Sequence, residues 1–112
     1  MRAIAVALLL SFLGACQSVD DTPVATTPIQ AILVQGKDDQ QVRVRGEIVS
    51  KVDDERYVIG DGTGTIQARI DDDLARKAAL GIGTRVEILG EVDTNISKAP
   101  TIRAKRVAVL TP

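Results

Sequence analysis

Short segments with alternating apolar and polar residues are the feature that most limits what this chain can fold into. In residues 65–70, the apolar Ile66, Ala68 and Ile70 alternate with polar residues, and the segment that begins at Gln41 has the same period. A period of two places every second side chain on one face of a β-strand. These segments are therefore predicted to be strands with one buried face.

Five segments carry this strand signal, and one helical pattern, residues 74–80, separates the third from the fourth. Three aspartates at 71–73 offer that helix an N-cap and first-turn negative charge, and Gly81 is its predicted end. The order β-β-β-α-β-β is that of the OB fold, a five-stranded Greek-key barrel in the all-β class. The predicted strands are residues 41 onwards, 56–60, 65–70, 84–93 and 101–110.

Two further local signals concern the shape of the barrel and the segment in front of it. Gly46 and Gly90 lie inside the first and fourth strands, where glycine lets a strand bend or bulge. A short N-terminal helix is predicted with Thr27 as N-cap, Pro28 as first residue and Gly36 as its end. The pattern does not decide whether this helix packs on the barrel.

The N-terminus has the pattern of a secretory signal. Arg2 precedes an apolar stretch of about eleven residues, which is shorter than the roughly 20 that a membrane-spanning helix needs. The run Leu13-Gly14-Ala15-Cys16 resembles the bacterial lipobox. Residues 1–15 are therefore predicted to be a lipoprotein signal peptide, with cleavage before Cys16.

The lipobox resemblance implies that Cys16 carries diacylglycerol and that the new amino group is acylated, for instance by palmitate. Several acyl chains anchor a protein stably to a membrane. Gln17, in place of an aspartate, favours the outer membrane, facing the periplasm. Residues 16–27 are predicted to be the lipidated cysteine and a disordered tether, and residues 28–112 the OB domain. The alternative is an ordinary signal peptide followed by a free or intermolecularly bonded cysteine.

Composition excludes most catalytic chemistry. The chain has no histidine, and its one cysteine is assigned to lipid, so a Ser-His or Cys-His pair and a soft-metal ligand set are missing. We therefore expect no enzyme activity, no cofactor and no metal. Without residues 1–15, 13 basic side chains stand against 15 acidic ones, a net charge of −2. Together with the single aromatic residue of residues 16–112, Tyr57, this argues against nucleic-acid binding.

Two acidic motifs and one glycine-rich motif have simple structural interpretations. The acidic runs 53–55 and 71–73 lack the alternating ligand spacing of a calcium loop, so turn solvation and helix capping are favoured. The glycine-rich run 61–64 leads into a strand rather than a helix, and is therefore predicted to be a hairpin turn and not a phosphate loop.

Residues 29–109 resemble the bacterial OB-fold (BOF) family, the YgiW/YdeI type of periplasmic stress-tolerance proteins. The resemblance implies a non-enzymatic module that supports tolerance of envelope stress by binding an envelope component. This chain departs from familiar members of the family in having a lipobox and few aromatic residues. The matching motifs are Asp38-Asp39, Val42-x-Val44-x-Gly46-x-Ile48, Asp54-x-x-Tyr57-Val58-x-x-Asp61-x-x-Gly64-Thr65-Ile66, and Val86-x-Ile88-x-Gly90-Glu91-Val92-Asp93.

The outer face of strands one to three is the surface that OB folds commonly present to ligands. Its three arginines are predicted to lie near one another and to hold an anionic envelope ligand or a peptidoglycan fragment. The alternatives are a solvated sheet face, or an adaptor that docks to another envelope protein without a small ligand. The predicted ligand-binding residues are Arg43, Arg45, Val58, Thr65, Gln67 and Arg69.

Overall fold

Five strands close into a barrel in the computed structural model of the protein, which describes residues 24–111. A short helix, α1, precedes the barrel, and a second, α2, connects its third and fourth strands. The predicted OB fold is confirmed. The elements are α1 (Ile29–Gln35), β1 (Gln41–Lys51), β2 (Arg56–Gly60), β3 (Thr65–Arg69), α2 (Asp72–Ala78), β4 (Arg85–Asp93) and β5 (Thr101–Val109).

The strands follow the order β1-β2-β3-β5-β4 around the barrel, and β1 and β4 close it. All neighbours are antiparallel except β3 and β5, which pair in parallel through Ala68 with Ile102 and Arg69 with Arg103 only. The first half of β1 pairs with β4 and its second half with β2. The outward side chains of β1 therefore lie beside β4 in its first half and beside β2 in its second half.

The core consists almost entirely of β-branched side chains that the period-two pattern assigns to the inner face. Burial of each such side chain contributes about 1.5 to 3 kcal/mol. Helix α1 adds Ile29 and Ile32 to this core, which answers the question that its sequence pattern leaves open. The fully buried larger side chains are Ile29, Ile32, Ile48, Ile59, Ile70, Ile88, Ile102, Val42, Val44, Val86 and Val92.

Helix α1 begins one residue later than predicted, and its cap comes from elsewhere in the chain. Thr27 lies before the N-cap position and does not cap the helix, and its N–H donates to the carbonyl of Arg43 at 2.8 Å. Pro28 is the N-cap and has no side-chain acceptor to offer. The free N–H groups of Ile29 and Gln30 instead donate to Asp61 Oδ2 at 2.9 Å and Thr63 Oγ1 at 3.1 Å. The β2–β3 hairpin turn thus caps α1.

Helix α2 lies two residues nearer the N-terminus than predicted. Asp71 caps it by accepting from the N–H of Asp73 at 3.2 Å, and Asp72 already belongs to its first turn. The helix ends at Ala78, and its C-cap is Ala79, which takes the left-handed conformation, rather than Gly81. Gly81 is held instead in the following turn, where its N–H donates to Thr84 Oγ1 at 3.1 Å.

Of the two predicted bend points, only Gly90 lies at a register shift, which falls between Leu89 and Gly90 in the β4–β5 pairing. In β1 the irregularity falls between Ile48 and Ser50 rather than at Gly46. Both glycines are nevertheless places of close approach. A Cβ at Gly90 would lie 2.2 Å from the Arg103 carbonyl oxygen, and one at Gly46 would lie 2.6 Å from that of Gly60.

The predicted signal peptide, Cys16 and most of the predicted tether lie outside the described residues. The last part of that tether, Thr26, forms a parallel bridge with Arg43 of β1. Neither helix within residues 24–111 has the length and hydropathy of a membrane-spanning segment.

The cap on α1 makes a testable prediction about pH. Burial raises the pKa of Asp61, but hydrogen bonds from Thr63 and Ile29 outweigh it, so the pKa lies below its ordinary value of 3.8. We expect Asp61→Ala to lower the free energy of unfolding by about 1 to 2 kcal/mol at pH 7, because α1 loses its cap. The contribution of Asp61 is present above the ordinary pKa and is lost as the pH falls through the lower folded pKa.

Urea unfolding of the two proteins between pH 7 and pH 2.5 would measure this difference. Asp54→Ala is the matched control, because Asp54 is exposed in the neighbouring β1–β2 turn. A constant difference between wild type and Asp61→Ala over the whole range would contradict the assigned role of the carboxylate.

Candidate functional site

The outer face of β2 and β3 is the surface on which the fold collects candidate binding residues. Val58 of β2 lies directly opposite Gln67 of β3, and Thr65 lies opposite Gly60. Arg56 and Arg69 form the next outward pair toward the β1–β2 turn. Four of the six predicted residues, Val58, Thr65, Gln67 and Arg69, therefore share this face.

A groove of about 240 Å³ runs along one end of this face. Leu33 of α1 forms one wall, and the loop between β4 and β5 forms the other. The lining combines aliphatic groups with hydroxyl and amide groups and contains no titratable side chain. Its residues are Leu33, Val58, Thr65, Ile66, Gln67, Ser97, Ala99, Pro100 and Thr101.

The other end of the face is charged. It lies beside the β1–β2 turn and is lined by four carboxylates and two guanidinium groups, together with Ile96 of the β4–β5 loop. Arg56 pairs with Asp53 at 2.9 Å, and Arg69 pairs with Glu55 at 3.2 Å. The backbone N–H of Glu55 is the main cause of a lowered pKa at Asp53. Each arginine here is already matched by a carboxylate.

Arg43 and Arg45 lie elsewhere, on the part of β1 that pairs with β4. Both bind Glu87, with N–O distances of 3.2 Å and 2.8 Å. The hydrogen bond from Arg45 is the main cause of a lowered pKa at Glu87. The three arginines of the predicted row therefore do not share one site, because Arg69 is bound to Glu55 instead.

The groove residues contributed by α1 and by the β4–β5 loop were missed in the sequence analysis. Ser97, Ala99 and Pro100 belong to a polar loop with no periodic pattern, and only the tertiary structure brings them opposite β3. In the sequence, the apolar Leu33, which follows Ile29 and Ile32, is a weak signal that α1 has a second apolar side.

A cluster of charged side chains lies at the base of the β4–β5 loop. We call Asp39, Glu91, Asp93, Arg103 and Lys105 the loop-base cluster. Arg103 reaches Asp93 at 2.8 Å, Asp39 at 2.8 Å and Glu91 at 3.1 Å, and the hydrogen bonds that it donates to these carboxylates, led by the one to Glu91, raise its pKa. Asp93 is only 5% exposed, so its charge depends on Arg103 for compensation.

The loop-base cluster and its neighbour Asp38 position the loop that walls the groove. Asp93 Oδ1 accepts from the N–H of Asn95 at 2.9 Å. Asp38 accepts from the N–H of Thr94 at 3.0 Å, which is the main cause of its lowered pKa, and from the Asn95 side chain at 3.2 Å. These carboxylates are therefore used in holding the loop.

Within residues 24–111 no three acidic, histidine or cysteine side chains are grouped to hold a metal ion.

We expect Arg103→Met to lower the melting temperature and to speed amide exchange in residues 95–99, because it leaves the buried Asp93 carboxylate without its partner. Lys105→Met is the control, since Lys105 is exposed and contacts the cluster only through Glu91 at 3.2 Å. It should change the free energy of unfolding by no more than about 0.5 kcal/mol. Unchanged exchange in the loop of Arg103→Met would show that the loop-base cluster does not position it.

Comparison with known proteins places this geometry in a family. The family profile described as "Bacterial OB fold (BOF) protein" matches residues 15–109. The calcium-regulated OB-fold protein CarO of Pseudomonas aeruginosa is 35% identical over 75 residues, which is 67% of this chain and 63% of CarO. Protein YgiW of Escherichia coli K12 is 40% identical over 57 residues, 51% of this chain and 44% of YgiW. The chain thus spans about half to two thirds of the length of these relatives.

Solved structures agree with the sequence comparison. The structure of the hypothetical protein ygiW from E. coli superposes with a TM-score of 0.69 at 30% identity, covering 77% of this chain and 90% of that one. A part of asparaginyl-tRNA synthetase from Pyrococcus horikoshii superposes with a TM-score of 0.64 at 19% identity, covering 80% of this chain and 24% of that one, which shows the fold alone. On the profile match and the shared barrel, the chain belongs to the bacterial OB-fold family.

Proposed function

We propose that this protein is a non-enzymatic, lipid-anchored binding module of the bacterial cell envelope that contributes to stress tolerance. It holds an envelope component in the groove on the β2–β3 face. The observation that carries the proposal is the groove itself, which aliphatic side chains and a row of hydroxyl and amide groups line without a charge. Such a lining is typical of a site that orients a ligand by hydrogen bonds.

The composition of the groove favours binding over catalysis. General acid-base chemistry needs a titratable group within hydrogen-bond reach of the reacting atoms. The residues that line the groove offer Thr65, Ser97 and Thr101 hydroxyls and the Gln67 amide. A hydroxyl becomes a strong nucleophile only beside a base, and none of these lining residues is one.

The uncharged lining also favours an uncharged ligand over the anionic ligand that the arginine row predicts. The arginines of the predicted row all have carboxylate partners, which offset the positive charge that would attract an anion. An uncharged ligand in the groove does not depend on that charge. We therefore propose an uncharged, hydrogen-bonding portion of an envelope component as the part that enters.

The envelope location rests on the N-terminal motif and on family membership. The Leu13-Gly14-Ala15-Cys16 run resembles a lipobox, and Gln17 favours the outer membrane, facing the periplasm. Stress tolerance is the role that the family resemblance implies. The name of CarO describes that relative as calcium-regulated.

The binding proposal predicts a localised response in an amide NMR titration. A chain that starts at Gln17 contains every described residue and the whole core, so it is suitable for the experiment. Muropeptides, lipopolysaccharide core sugars, Ca²⁺ and a single-stranded oligonucleotide would be added in turn. We expect one envelope ligand to shift amides of residues 65–67 and 97–101, and the oligonucleotide to shift none.

A groove-filling variant provides the control for this titration. Ala99→Trp should abolish the shifts because the indole occupies the groove, whereas Ile82→Trp, at a position 74% exposed in the α2–β4 turn, should leave them intact. An equal response in Ala99→Trp would count against binding at this groove, and no response to any member of this panel would exclude those components as its occupants.

The anchoring proposal has a separate test in cells. Wild-type protein should incorporate labelled palmitate and sediment with outer membranes, because Cys16 carries the lipid. Cys16→Ser removes the thiol that is acylated and should do neither. Equal membrane association of the two proteins would refute the lipid anchor and would not bear on the proposal of binding at the groove.

A further inference from the structure

One edge of β3 is only partly covered by its neighbour in the barrel. Strand β2 pairs with all of β3, from Thr65 to Arg69. On the other edge, β5 pairs only with Ala68 and Arg69. Within the described residues, no strand pairs with Thr65–Gln67 on that second edge, and this is the edge that the groove follows.

The direction of the main-chain groups can be read from two hydrogen bonds. Ile70 donates its N–H to the Glu55 carbonyl at 2.7 Å, and the Gly64 carbonyl accepts from Asp61 at 3.3 Å. Even-numbered residues of this segment therefore turn their main-chain groups toward β2. Since successive residues of an antiparallel strand alternate between its two edges, Thr65 turns both of its main-chain groups, and Gln67 its N–H, toward the groove.

The groove thus offers main-chain hydrogen-bonding groups at strand spacing, beside an uncharged side-chain lining. Its volume of about 240 Å³ is below the roughly 300 to 1,000 Å³ of sites that enclose whole small ligands. A site of this size and shape fits a short stretch of an extended chain, most of which remains outside. Pockets beside a strand edge then accommodate alternate side chains of the added strand.

We infer that the occupant of the groove is an extended, uncharged peptide segment of a partner protein, which adds as a strand to the free edge of β3. This inference rests on the proposed binding function and names the class of its ligand. The N–H groups of Thr65 and Gln67 donate to carbonyls of the added strand, and the Thr65 carbonyl accepts from one of its N–H groups. Small or apolar side chains of the peptide pack against Leu33 and Pro100.

Amide hydrogen exchange on the unliganded protein tests the first half of the inference. The N–H groups of Ile66 and Ala68 point into the β2 ladder and should be protected. Those of Thr65 and Gln67 should exchange at least about tenfold faster, because no strand covers their edge. Equal protection of all four amides would show that the edge is not free and would overturn the inference.

Selection from a phage-displayed library of random peptides tests the second half. The chain that starts at Gln17 is the target, and Ala99→Trp is used for counter-selection. Recovered peptides would be synthesised, with and without N-methylation of single backbone amides, and their Kd values measured. We expect uncharged sequences whose binding protects the Thr65 and Gln67 amides and weakens at least about fivefold on N-methylation at one or two alternate positions.

A matched pair of variants separates main-chain from side-chain recognition. Thr65→Pro removes the N–H that faces the groove, at a position where the β2 ladder does not use it, and should weaken peptide binding by at least about fivefold. Thr65→Val removes the hydroxyl but keeps the N–H, and should leave Kd within about twofold. If Thr65→Pro does not fold, as judged by loss of amide dispersion, the N-methylated peptides carry the same test.

The outcomes distinguish this inference from the proposed function. Groove-dependent binding of a muropeptide or core sugar, with no peptide recovered, would overturn strand addition and leave the proposed function standing. Loss of binding in Thr65→Val with none in Thr65→Pro would also overturn it, since the side chain would then be the recognition element. No groove-dependent binding of any probe would refute both.

Discussion

The parallel contact between β3 and β5 is the interaction on which the rest of the barrel depends. It consists of two residue pairs, against eight between β4 and β5, yet without it the sheet would remain open with two free edges. To reach β3, strand β5 must approach β4 very closely at Gly90, and a register shift there lets it turn. Closure therefore demands a residue without a side chain at that position.

The shortness of this contact also explains where the candidate site lies. On the N-terminal side of Ala68, strands β3 and β5 separate. The space between them is bounded by α1 on one side and by the β4–β5 loop on the other. Carboxylates accept hydrogen bonds from both boundaries: Asp61 from the start of α1, and Asp38 and Asp93 from the start of the loop. The groove is thus a consequence of incomplete closure, and these hydrogen bonds, together with the packing of α1 on the core, hold its walls.

The division of the predicted binding residues follows from the same topology. Val58, Thr65 and Gln67 come together because β2 and β3 form one hairpin whose register is local. Arg43 and Arg45 were assigned to that face because they share the outward side of β1. In the first half of β1, however, the neighbour is β4, and both arginines bind Glu87 there. A strand that changes partners midway separates residues that a flat sheet would keep together.

The sequence by itself determined the strands, the OB class and the family, because alternation, turns and the core-facing isoleucines and valines are set by residues close together in the chain. It also indicated the two helices, although their first residues were misplaced by one and two positions. Only the tertiary structure decided the capping of α1 by Asp61, the pairing of Arg103 with Asp39, and the groove with its free edge of β3. Each of these joins side chains or strands far apart in sequence, whose meeting depends on how the barrel closes.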